Sequence, residues 1–145
     1  MVRRRFKWFR VFDTYVTYAP TDKASLGLDV NRTTNQVRSG DATSALIGTG
    51  VYARYQVARE NALALRYEHL NDDGLFGGVA QRLQELTATI EHKVGDGFLV
   101  RGEFRRDWSN TGFFPGRATT DSLKTGQNTA LVGLVWWVGG KQGAW

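Results

Sequence analysis

The stretch "LQELTATIEHKVGDGFLVRGEFRRDWSN", Leu83 to Asn110, alternates polar and apolar residues on both sides of a short turn signal, "VGDG" (Val94 to Gly97). Before the turn, Leu86, Ala88 and Ile90 share one parity, while Glu85, Thr87, Thr89, Glu91 and Lys93 share the other. After it, Phe98, Val100, Phe104 and Trp108 oppose Arg101, Glu103, Arg105 and Asp107. Successive side chains of a strand point to opposite faces, so a period of two marks strands. The stretch therefore reads as a hairpin with one apolar face and one densely charged face.

The same alternation recurs along the whole chain. It predicts strands over residues 9–18, 24–31, 44–57, 61–70, 82–94, 98–108 and 128–138. The apolar face continues through Leu26, Leu28 and Val30, then Ile47, Val51, Ala53, Tyr55 and Val57, then Leu63, Leu65 and Tyr67. Opposite it stand Arg54 and Gln56, and Arg66 and Glu68. Connections alternate as well: "APTDKA", "AREN" and "VGDG" are short, while residues 32–43, 71–81 and 109–127 form long polar connections. Gly 17 with Trp 5, Tyr 5 and Phe 8 is a strand-and-turn composition. No helix-period segment or coiled-coil heptad competes, and 145 residues suit one domain.

The totals exclude several kinds of chemistry. Cysteine is absent, which removes disulfides, thiolate metal sites and a cysteine nucleophile together. The net charge of +5 is concentrated at the start, where Arg3, Arg4, Arg5, Lys7 and Arg10 stand without an acid. The remainder balances, with fourteen basic and fourteen acidic residues. A nucleic-acid surface gathers its cations on one folded face, so this run reads as a solvated tail, and no nucleic-acid partner is expected. No window approaches the roughly 18 apolar residues of a transmembrane helix. "MVRRRFKWFR" (Met1 to Arg10) lacks the apolar core and cleavage site of a signal peptide.

Two solvents for the two faces are open. A soluble β-sandwich binding module would turn the apolar face inward and place similar loops at both ends. A transmembrane barrel inverts the faces, and it uses strands of about 9 to 11 residues, short turns at one end and longer loops at the other. The long strands and the strict segregation of loop lengths favour the barrel. Tyr18, Tyr67, Trp108 and Trp136 then suit interfacial girdles. The charged parity becomes a lumen wall, whose candidate lining residues are Arg54, Arg66, Glu68, Glu85, Glu91, Arg101, Glu103, Arg105 and Asp107. Opposite charges on adjacent strands are placed there to pair across the sheet.

"GVYARYQVARENALALRYEHLNDDG", "LQELTATIEHKVGDGFLVRGEFRRDWSN" and the closing "VWWVGGKQGAW" resemble the C-terminal part of OmpL-like outer-membrane β-barrel porins, the β-barrel porin-2 type. The resemblance runs from about Phe12 to Trp145, leaving residues 1–10 as a basic segment outside the pattern and residues 11–145 as one barrel domain. It implies an antiparallel up-and-down barrel in the bacterial outer membrane. That barrel would pass small hydrophilic solutes or ions passively, without enzymatic activity or cofactor. Lipid is the implied partner, together with the barrel-assembly machinery through the aromatic end at Trp145 and, in some arrangements, a second copy. Seven strands give an odd count where bacterial single-chain barrels have even counts, so a longer intact barrel is expected. A plugged, non-conducting barrel stands beside the channel as an alternative.

Apparent sites in the loops have simpler readings. With Gly74 placed on the invariant glycine of a calcium loop, the first ligand becomes His69 and the last Ala80, which breaks the pattern. Glu68 and His69 fall on opposite faces, and His92 lies on the apolar parity, so neither histidine is positioned as an acid/base partner. The longest loop carries Phe113, Phe114 and Pro115; both a surface position and a fold into the lumen are open for it.

Overall fold

The computed structural model describes residues 8–36, 43–75, 78–116 and 123–139. Its strands are β1 (Trp8–Thr21), β2 (Ala24–Gln36), β3 (Ser44–Gln56), β4 (Asn61–Asp73), β5 (Ala80–Val94), β6 (Phe98–Ser109), β7 (Phe114–Pro115), β8 (Leu123–Lys124) and β9 (Gly126–Trp136). Seven of them form one antiparallel sheet in the order β1-β2-β3-β4-β5-β6-β9, and β7 pairs only with β8. The fold is all-β and up-and-down, as the alternation predicts.

The strands run past their expected ends. β2 continues to Gln36, β4 continues to Asp73 and β5 begins at Ala80, so residues expected in long loops belong to the ladder. Polar side chains there hid the strand, but backbone pairing does not depend on them: Asn71 aligns with Ile47 and Arg82, and Asp72 with Leu46 and Gln81. Trp8, Phe9 and Arg10 likewise belong to β1 and not to a basic tail. The rest of that basic segment, and Trp145 with its expected role in assembly, lie outside the described residues.

Burial is inverted relative to a soluble protein. Leu65 is 52% exposed, Ile90 58% and Phe104 54%, while Glu91 is 4% exposed and Asp107 3%. Among the described residues no second sheet or helix covers the apolar face, so the layered β-sandwich is not formed. β1 and β9 form the two edges of the sheet, which is open.

The polar face is concave. Adjacent strands lie about 4.8 Å apart, so side chains two strands apart meet only where the sheet curls toward them and the strand between carries small residues. Both conditions hold here. The Tyr15 and Tyr52 rings meet edge to face, 5.9 Å between centroids, across β2 at Gly27. A Cβ at Gly27 would lie 2.6 Å from the Tyr15 hydroxyl, so this close approach needs glycine. Arg54 likewise reaches Glu91 across β4, where the register places Ala62 and Ala64.

Candidate functional site

Register puts like charges side by side. Glu68, Glu85 and Asp107 align on β4, β5 and β6, and the same row runs on through Gly50 to Asp29. Directly opposed like charges destabilise a sheet. The next row on the same face supplies the remedy, because it aligns Tyr52, Arg66, Thr87 and Arg105. Arg105 Nε lies 3.0 Å from Glu85 Oε2 and 2.8 Å from Asp107 Oδ1. Arg66 Nε donates to Glu85 Oε1 at 2.9 Å and lies 3.6 Å from Glu68. Thr87 Oγ1 donates to Glu85 at 2.7 Å, Tyr52 donates to Glu68 at 2.9 Å and Gln127 donates to Asp107 at 2.9 Å. Each acid is thereby held by donors from its own or a neighbouring strand.

A second cluster lies nearer the short turns and centres on Glu91. Arg54 Nε donates to Glu91 Oε2 at 2.8 Å, and Arg101 donates to Oε1 at 2.6 Å while lying 3.5 Å from Glu103. The Glu91 side chain is 5% exposed, against 30% for Arg54 and 37% for Arg101. The carboxylate sits low on the wall and the guanidinium groups cover it. Charged, multiply bonded contacts of this kind are stronger than neutral ones and fix the side chains in position. All nine sequence-predicted residues lie on this concave face, and seven ion pairs tie them into the two clusters described. Every buried side-chain nitrogen and oxygen among the described residues has a partner.

Sequence reasoning missed the apolar step above the charges. Leu46, Leu70 and Leu83 occupy the polar parity of β3, β4 and β5 near the long-loop end. Leu46 is 5% exposed. The β7–β8 hairpin of the longest loop turns over this region: Phe114 is 6% exposed, and with Phe113 it lines a cavity of about 300 Å³ shared with Leu70, Leu83, Glu68 and Asp107. The signal was present as three leucines that break the alternation, which give a folded-in loop something apolar to rest on.

The "NDDG" feature is a turn device. Asp72 is 1% exposed; its Oδ1 accepts from the backbone N–H of Gly74 at 3.0 Å and of Leu75 at 2.6 Å, and its Oδ2 accepts from Gln81 at 3.2 Å. Gly74 has φ of +98°, a conformation that favours glycine. The aspartate oxygens are thus spent on closing the chain reversal. His92 projects on the apolar face, 2.8 Å from Asn61 Oδ1 through Nδ1.

A charged concave wall behind an uncovered apolar face is the arrangement of a membrane barrel seen from its two solvents. A family model described as "Putative beta-barrel porin-2, OmpL-like" matches residues 5–136. The chain belongs to this family of β-barrel porins. The match ends at Trp136, where β9 ends, and takes in every strand of the sheet. A comparison with curated proteins finds no match. Membership fits the inverted burial, since a β-barrel porin carries an outward apolar band and a polar interior.

Proposed function

We propose that this porin chain forms wall of a passive outer-membrane channel for small hydrophilic solutes or ions. The observation that carries the reading is the concave face itself. A lumen closed to water would favour apolar packing, because buried ion pairs cost more in desolvation than they commonly return. This wall instead presents partly exposed guanidinium groups over seated carboxylates, a surface that stays hydrated and sets a fixed field along a water path. Arg54, Arg66, Glu68, Glu85, Glu91, Arg101, Glu103, Arg105 and Asp107 are the lining residues in this reading. The β7–β8 hairpin supports a mouth that is narrowed rather than plugged, since the cavity beside Phe114 remains open to the carboxylate row.

Single-channel recording in planar bilayers tests the proposal. Protein that refolds in phosphatidylcholine vesicles, shown by heat-modifiable migration, is expected to give stepwise conductance. Refolded protein with no conductance would establish the plugged barrel instead.

A further inference from the structure

The sheet carries two sets of arginines that differ in parity and in pairing. Arg54, Arg66, Arg101 and Arg105 face the concave wall, and each is ion-paired. Arg10, Arg32, Arg82 and Arg106 lie on the opposite, apolar parity of β1, β2, β5 and β6, and all four are exposed. Among the described residues none of these four makes an ion pair: Arg10 stacks over the Trp8 ring at 4.7 Å, and Arg106 donates to the neutral Asn128 at 3.0 Å.

Their position along the strands is as consistent as their parity. All four stand within four residues of strand ends on the long-loop side of the sheet: Gln36, Ala80 and Ser109, and Trp8, which pairs with Gln36. Register places Arg32 and Arg82 in one row, with Phe12, Ile47 and Asn71 between or beside them. On the same parity, Asp73 is the one acidic residue among the described strand positions. Toward the short turns that face carries no arginine or lysine among the described strand residues; Lys23 and Arg59 stand in the turns themselves.

A cation on the lipid face is costly at the bilayer midplane and tolerated at the interface, which fixes where this belt lies. It sits at the headgroup level on the loop side. Arginine also differs from lysine in offering a planar fork of donors that grips phosphate oxygens two at a time. We propose that Arg10, Arg32, Arg82 and Arg106 form an outward belt that binds the phosphate groups of anionic lipids in the leaflet on the long-loop side. The inference rests on the outer-membrane barrel reading above. There the loop-side leaflet offers phosphorylated glycolipid headgroups, multiply charged and matched to a spread of unpaired guanidinium groups.

The probe is lipid A, titrated against the refolded barrel in zwitterionic detergent, with dephosphorylated lipid A alongside. The expected result is tighter binding of the phosphorylated form, an affinity that falls as salt rises, and a loss of about fivefold for each arginine removed, equivalent to about 1 kcal/mol. The variant R10Q/R32Q/R82Q/R106Q should lose the phosphate preference while keeping heat-modifiable migration and conductance, because none of the four faces the wall. K23Q/R59Q removes two cations from the short-turn end and should retain the preference. Equal binding of both forms of lipid A, or equal loss in K23Q/R59Q, would overturn the belt. Failure of the unaltered protein to refold in phosphatidylcholine alone would instead overturn the barrel reading, so the two failures are distinguishable.

Discussion

Leu65 offers the sharpest test of which solvent the apolar face meets. It lies in the body of β4, four residues from Asn61 and eight from Asp73, and its row on the outer face holds Leu26, Ala53, Ala88 and Phe104. It is 52% exposed, so nothing in the protein seals it from its surroundings. If those surroundings were water, Leu65→Arg would be an ordinary surface change worth within about 0.5 kcal/mol. If they are hydrocarbon, the guanidinium must snorkel or carry a water defect with it, and the cost rises to about 2–4 kcal/mol near the midplane. A strand rise of about 3.3 Å and a tilt of about 40° put Leu65 roughly 10 Å inside the short-turn end, well within an apolar band about 25 Å tall. The assay is urea unfolding of the refolded protein in phosphatidylcholine vesicles, with Leu65→Phe as an apolar control near zero. A change below about 0.5 kcal/mol for Leu65→Arg would refute the assignment of this face to lipid.

Glu91→Gln leaves Arg54 and Arg101 without their shared anion and should cost about 2–3 kcal/mol, discounted from a fully buried pair because both arginines are partly exposed. Arg54→Gln should cost only about 1 kcal/mol, since Glu91 keeps Arg101; vesicle unfolding measures both. In bilayer recordings, reversal potentials under a salt gradient should shift toward anions in Glu91→Gln, and an unchanged potential would place Glu91 off the permeation path. Replacing residues 110–125 by a tight turn should raise single-channel conductance if the β7–β8 hairpin narrows the mouth, and equal conductance would leave the hairpin outside the path. Asp72→Ala removes the acceptor for two backbone N–H groups and should cost about 1–3 kcal/mol, most of it restored by Asp72→Asn, as read by the same unfolding assay.

Parity carried most of this structure, because it is set by backbone geometry and survives any tertiary context. Leu63, Leu65 and Tyr67 against Arg66 and Glu68 in β4 already separate the two faces, and register then brings the nine wall residues together. Where polarity was used in place of parity, the reading failed. Arg32 to Asn35, Asn71 and Asp72 look like loop residues, yet their backbones pair on both sides as those of the leucines do. Contacts across two strands could not be read either. The Arg54–Glu91 pair depends on curvature and on alanines between them, and curvature is a property of the whole sheet rather than of any local window. The inward turn of Phe114 was open for the same reason, since the cavity it lines is shared with Leu70 and Leu83 on two other strands.

One residue type therefore plays two roles in this sheet, and the difference between them is a shift of one position along a strand. Arg105 and Arg106 are neighbours in β6: the first seats Glu85 and Asp107 at 3.0 and 2.8 Å, while the second points outward and donates to the neutral Asn128. The inward set makes a row of aligned carboxylates tolerable, which lets Glu68, Glu85 and Asp107 stand side by side on a wall that would otherwise repel itself. The outward set has no such duty within the described chain. Its charge calls for a counter-ion from outside, and its place at one rim limits where that counter-ion is found. Net charge taken over the whole sequence conceals this division, because cations paired in the wall and cations exposed on the apolar face count alike. Sorting them by parity first separates cations that pair within the wall from cations left exposed on the apolar face.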